Sequence, residues 1–196
     1  PRALYTRGSR RPRPQIGDRM TQIFLPFIGA FAPHDARAAE AAQRTAALIE
    51  RHGVAAFGRD PRIGHVTASG FVLSVDRRET LLMHHRKLDR WLQPGGHCDG
   101  ETDVRAAAAR EVAEETGLAE ARLLPEIFDI DVHEIPARGN EPAHLHHDVR
   151  FLFIADPRTA APGNPESHAL AWMDAAALPR VTDQASVLVV RRAMRA

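Results

Sequence analysis

Hydrophobic and polar positions alternate most cleanly over His144–Ala155, which predicts a β-strand with two unlike faces. Leu145, Val149, Phe151 and Phe153 fall on one face with His147. His144, His146, Asp148 and Arg150 fall on the other, followed by Leu152 and Ile154. Apolar weight at Val66, Phe71, Val72 and Leu73 predicts a strand over His65–Val75. Glu79–His84 is expected to be its partner across Asp76-Arg77-Arg78, and Ala121–Ile135 and Ala169–Met173 are further strands. Helical spacing marks Asp35–Arg51, with Asp35 placed to cap it and Gly53 to end it. Its expected buried stripe is Ala39, Ala42, Ala46 and Ile49. A terminal helix is expected over Ala185–Ala196. Short strands around one long loop-helix unit predict an α/β (α+β) sandwich.

Size and charge narrow the class. A chain of 196 residues fits one domain with a small extension and can bury a sizeable core. The net charge of +1 implies neither nucleic acid nor membrane as a partner of the whole chain. Cys98 is the single cysteine, so no intrachain disulfide can form, which suits a cytoplasmic location. No apolar run approaches the roughly 20 residues of a membrane span. Arg2, Arg7, Arg10, Arg11 and Arg13 mark a basic tail over 1–20, expected to be disordered. The expected organisation is that tail, a helical segment over 21–60 packed on the main domain, and the main domain over 61–196.

The chemistry concentrates in one segment. Glu111, Glu114 and Glu115 stand at i, i+3 and i+4, so a helix puts three carboxylates on one face. Two such charges about 4 Å apart repel by roughly 4 kcal/mol at an effective dielectric near 20. A hard divalent cation gives a reason to hold them there, because Mg²⁺ and its relatives select carboxylate oxygen. With about 100° per residue, Ala108, Val112, Ala109 and Ala113 take the opposite side, and Arg110 falls beside Glu114. Gly95 and Gly96 allow the backbone to come close to the site.

This stretch resembles the Nudix box, which reads Gly, five residues, Glu, seven residues, then Arg-Glu-aliphatic-x-Glu-Glu-x-Gly-aliphatic. From Gly96, the residues Arg110, Glu111, Val112, Glu114, Glu115, Gly117 and Leu118 match at the right spacing. Thr102 stands where the first glutamate belongs, flanked by Glu101 and Asp103; a helical Asp103 on the Arg110 side is one replacement and Glu101 the other. The resemblance implies a Nudix-type α/β/α sandwich with a mixed sheet. It also implies a hydrolase, dependent on Mg²⁺ or Mn²⁺, that cleaves a diphosphate in a nucleoside diphosphate derivative or similar small phosphorylated substrate. Glu111, Glu114, Glu115 and Gly96 match the metal site, and Arg110 the arginine that orients the glutamates. Many relatives are dimers, so a homodimer is a further implication.

The base is left open between Glu114 and Glu166, a loop carboxylate six residues before Trp172. His97, His144, His146 and Arg150 are the candidate substrate contacts; the β-strand face carrying the last three is expected to line the groove. The spacing of the histidines fits no usual zinc pattern. Two other readings use the same fold. An isopentenyl-diphosphate-isomerase-like enzyme would share Gly96-His97, but it has a cysteine where Gly95 stands and lacks the intact Arg-Glu-x-x-Glu-Glu helix. A non-catalytic nucleotide-binding module would usually lose box glutamates that are intact here.

Overall fold

The computed structural model describes residues 24–60, 62–159, 161–165 and 167–195. The basic tail expected over 1–20 lies outside the described residues, as does Glu166. A helical turn over 24–29 leads to α1 (Ala36–His52) and a 3₁₀ turn (Gly53–Phe57). Then come β1 (His65–Ser74), β2 (Glu79–His85), β3 (Arg90–Leu92), β4 (Gly95–His97) and α2 (Val104–Thr116). Strands β5 (Arg122–Ile135), β6 (His144–Ala155) and β7 (Ser167–Asp174) follow, then α3 (Leu178–Val181), α4 (Ala185–Leu188) and a 3₁₀ turn (Val189–Arg192).

Asp35 caps α1 as expected, its Oδ1 accepting from the Ala38 N–H at 2.7 Å, and Gly53 ends it at φ 57°. The buried stripe differs from the expected one. It runs through Ala38, Ala41, Thr45, Leu48 and Ile49, so only Ile49 is common to both. Thr45 explains the shift. Its hydroxyl bonds the Ala41 carbonyl at 2.8 Å and His147 Nδ1 at 3.1 Å, so a polar residue faces the core with its partners supplied. The expected terminal helix is also shorter. It gives way to a 3₁₀ turn after Leu188, within the run Val187-Leu188-Val189-Val190, whose branched side chains crowd the preceding helical turn.

The seven strands form one mixed sheet in the order β3-β2-β1-β6-β5, with β4 paired to β1 and β7 to β2. Strands β1 and β6 are parallel from His65↔His146 to Ser74↔Ala155. Along β5 the register with β6 breaks between Leu124 and Asp129, at Pro125, which has no N–H to give the ladder. One face of the sheet, with Val66, Ala68, Val72, Ile130, Val149, Phe151 and Phe153, packs under α1 and α2. The other face is apolar where Phe71, Leu73 and Leu82 meet Met173, Leu178, Val187 and Val190. Helices therefore cover both faces of a mixed sheet. Among the described residues, no helix is long and apolar enough to cross a membrane.

Candidate active site

Helix α2 starts one residue later than a helical Asp103 requires. Asp103 is extended, at φ −84° and ψ 93°, and its Oδ1 accepts from the Arg105 N–H at 3.1 Å. It is the N-cap, so it takes no place on the carboxylate face. Glu101 in turn accepts the Asp103 N–H at 2.8 Å. Asp103→Ala is expected to cost about 1 kcal/mol, the usual value of a cap, while Asp103→Asn keeps the cap and the turnover. Urea denaturation of the two variants checks this; equal stability would deny the capping role.

Ala107, Ala108 and Val112 seat α2 on the sheet beside Gly70, where a side chain would meet Val112 at 2.8 Å. Gly117 closes the helix at φ 76°, its N–H bonded to the Ala113 carbonyl at 2.9 Å. The carboxylates then meet the glycine pair of β4. The Gly95 N–H donates to Glu115 Oε2 at 2.8 Å. A Cβ on Gly96 would stand 2.6 Å from Glu111 Oε2, so a side chain there would displace that carboxylate from its place beside Arg110. A side chain at Gly95 would collide with Ser69.

The three glutamates have different surroundings. Glu115 is buried, Glu111 is largely covered, and the Glu114 side chain is 60% exposed. Burial raises the Glu111 pKa, with Arg110 working against it. Arg110 Nη1 donates to Glu111 Oε1 at 2.6 Å and to Glu114 Oε2 at 3.4 Å, and Nη2 donates to the His97 carbonyl at 2.8 Å. Burial opposes the Arg110 charge, but Glu111 and Glu114 hold its pKa up. One guanidinium thus ties two box carboxylates to β4. Cys98, in the same loop, is buried, and burial pushes its thiol up to about 12, which disfavours the thiolate.

The alternation expected of β6 is present, but its polar face turns away from α2 and the groove contact expected of Arg150 is not available. Arg150 Nη1 bonds the Ser186 carbonyl of α4 at 2.9 Å, on the opposite side of the sheet. The same guanidinium bonds Asp148 Oδ2 at 2.7 Å, and Asp129 Oδ2 and Asp131 Oδ2 at 3.0 Å each. Its side chain is 2% exposed. Burial opposes its charge, and the three aspartates outweigh that. Arg37 completes the network from α1. It bonds Asp129 and Asp131 at 2.7 Å each, and the Ile130 carbonyl between them at 3.2 Å. Asp148 also accepts from Ser69 at 2.9 Å. Burial raises the Asp129 pKa; Asp131 is likewise pushed up by burial but ends well below the usual range, through His133, Arg150 and Arg37.

Beyond this network, on the same face, His65, His97, His144 and His146 gather. The His65 ring lies 5.0, 5.1 and 4.6 Å from those of His97, His144 and His146. Burial, with help from neighbouring imidazoles, lowers His65 to about 4 and His146 to about 2.

A family model for the NUDIX domain matches residues 64–193. The chain belongs to the Nudix family. The sheet and helices resemble those of the E. coli dihydroneopterin triphosphate pyrophosphohydrolase, with a TM-score of 0.56 at 20% identity over 65% of this chain and 92% of that one. They resemble the C. elegans Ap4A hydrolase likewise, with a TM-score of 0.53 at 18% identity over 65% and 93%. At such identities the likeness is one of fold. No curated protein sequence matches significantly. As a Nudix hydrolase the protein acts on pyrophosphate-containing substrates, and the Nudix family generally uses divalent metals.

Within this Nudix site the structure brings together Gly96, the His97 carbonyl, Arg110, Glu111, Glu114 and Glu115, and it turns the His97 ring toward the histidines of the opposite face. It sets His144, His146 and Arg150 on the opposite sheet face. Sequence reasoning passed over His65, Asp129 and Asp131. A signal was present: Asp129-x-Asp131-x-His133 alternates polar residues as His146-x-Asp148-x-Arg150 does, and the two strands pair residue for residue.

Proposed function

We propose that the protein hydrolyses a diphosphate linkage in a nucleoside diphosphate derivative or similar small pyrophosphate, with Mg²⁺ or Mn²⁺. The observation that carries this reading is the set of Glu111, Glu114 and Glu115 around the bare backbone of Gly95 and Gly96, with Arg110 as their shared anchor. Carboxylate oxygens and uncovered backbone suit a hard divalent cation. Glu111, Glu114 and Glu115, with Gly96, would hold it. When bound, such an ion neutralises phosphate oxygens and lowers the pKa of coordinated water.

The chain's own residues supply the rest. Arg110 fixes Glu111 and Glu114 through one guanidinium and takes its own orientation from the His97 carbonyl. Glu114, the exposed carboxylate of the three, is placed to accept a proton from an attacking water. Glu166 is the other candidate base; its part rests on its place in the sequence, six residues before Trp172. His97, expected from its place after the glycine pair to contact substrate phosphate, contributes its carbonyl to Arg110 and turns its ring to His65 and His146 on the other face of the sheet. The isomerase-like reading is disfavoured because no cysteine side chain fits at Gly95. A binding-only module is disfavoured because the three box glutamates on α2 are present and tethered, with Thr102 replacing only the first of the four.

The test is phosphate release from a panel of nucleoside diphosphate derivatives and dinucleotides, with coupled phosphatase detection, with and without Mg²⁺. Metal-dependent release from at least one class is expected. Binding without release would favour the non-catalytic module, and turnover of an isoprenoid diphosphate without release would favour the isomerase.

A further inference from the structure

We propose that His65, His144 and His146 form a binding site for a borderline divalent transition-metal ion of the Zn²⁺ class, separate from the carboxylates of α2. The strand register creates it. His65 opens β1 and pairs with His146 in the parallel ladder, and His144 lies two residues earlier on the same face of β6. One ring nitrogen from each lies within 4.8 Å of the others.

Three details make this more than a crowd of imidazoles. First, His144 Nδ1 lies 2.9 Å from the Pro142 carbonyl. A carbonyl only accepts, so Nδ1 donates to it and Nε2 is the ring nitrogen left facing the neighbouring histidines. Metal-binding histidines are commonly oriented by such a backbone partner. Second, His144 Nε2 and His146 Nε2 are 3.3 Å apart. Two imidazole nitrogens on a tetrahedral Zn²⁺, each at about 2.0–2.1 Å, are separated by about 3.3–3.4 Å. Third, His65 is 1% exposed, and neither of its ring nitrogens meets a hydrogen-bond partner of normal geometry. Leaving a buried polar group unpaired costs about 1–3 kcal/mol; a cation shared with His144 and His146 removes that cost.

The donor set chooses the ion. Neutral imidazole suits Zn²⁺, Ni²⁺, Cu²⁺ or Co²⁺, while Mg²⁺ prefers oxygen. Three protein ligands leave a fourth tetrahedral position. Glu141 Oε1, 3.9 Å from His144 Nε2, and the ring of His97 stand beside the cluster. Ligation would join the first residues of the parallel strands β1 and β6, whose imidazoles otherwise meet without a common partner.

The test uses the full chain, stripped with chelator and dialysed into millimolar Mg²⁺, then titrated with Co²⁺. The expected result is one equivalent of Co²⁺ with the strong visible absorption of a tetrahedral, nitrogen-bound ion, displaced by one equivalent of Zn²⁺. Glu115→Gln should bind Co²⁺ unchanged. Replacing groups that only support a ligand costs about 10–100-fold in affinity. His65→Ala and His146→Ala should each exceed 100-fold, with circular dichroism confirming that they fold. If either fails to fold, the wild-type Co²⁺ spectrum in Mg²⁺ decides alone. A wild-type chain without the tetrahedral spectrum overturns the proposal, and so does a spectrum that persists in both folded histidine variants or is lost in Glu115→Gln. Because the readout is absorption, a failure of the hydrolase reading would leave this result untouched.

Discussion

Glu115→Gln is expected to lose metal-dependent hydrolysis by well over the roughly 10–100-fold typical of changes behind a ligand shell, with the fold retained. The geometry makes this a clean substitution. The amide oxygen of glutamine can still accept the Gly95 N–H that Glu115 Oε2 accepts at 2.8 Å. What disappears is the negative charge. Glu114→Gln should lose as much, and it disturbs the fold still less because that side chain is 60% exposed. Excess EDTA should abolish the wild-type activity, and added Mg²⁺ or Mn²⁺ should restore it. Initial rates with a substrate from the panel, beside circular dichroism, measure all of this. Full activity in either variant, or in EDTA, would remove the assignment of these carboxylates.

Arg150→Leu should produce the largest loss of stability, about 3–5 kcal/mol, the range for removing one partner from a buried ion network. The guanidinium holds Asp129, Asp131 and Asp148 on one face of the sheet and the Ser186 carbonyl above them. Without it, Arg37 is the one arginine left on Asp129 and Asp131 among the described residues, and Asp148 keeps neutral donors such as Ser69 and Thr67. Arg150→Lys should recover only part of the loss, because one ammonium cannot reproduce a planar fork spread over three carboxylates. Urea denaturation gives the values. A cost within about 1 kcal/mol of wild type would mean that the network behaves like a surface pair. At a temperature where the variant is folded, KM should match wild type, since Arg150 faces no solvent.

The contrast with the expected groove shows where sequence reading stops. Helix α2 was legible because its information is local: alanine face, glutamate spacing and closing glycine lie within 14 consecutive residues, Val104–Gly117, although Asp103, expected on the helix, caps it instead. The two faces of β6 were legible for the same reason. Which face met α2 was not, because that depends on how β1 and β6 align across about 80 residues of chain. The partners of Arg150 were hidden too. Pro125 interrupts the register, and only after the interruption do Asp129 and Asp131 come opposite Arg150 and Asp148. His65 looked like the plain start of a strand until the parallel ladder set it beside His146. The stripe of α1 was misplaced because an apolarity reading excludes threonine, while Thr45 brings its own hydrogen-bond partners into the core.

Arg37 has a consequence for self-association. Strand β5 is a margin of the sheet, where unpaired backbone groups invite a strand from another molecule. The Arg37 fork lies across that margin, gripping the Ile130 carbonyl and the carboxylates on either side of it. An incoming strand would have to displace a guanidinium bonded at three points before it could pair there. Pairing of two copies edge to edge across Ile130 therefore carries a cost that the rest of the β5 margin does not share.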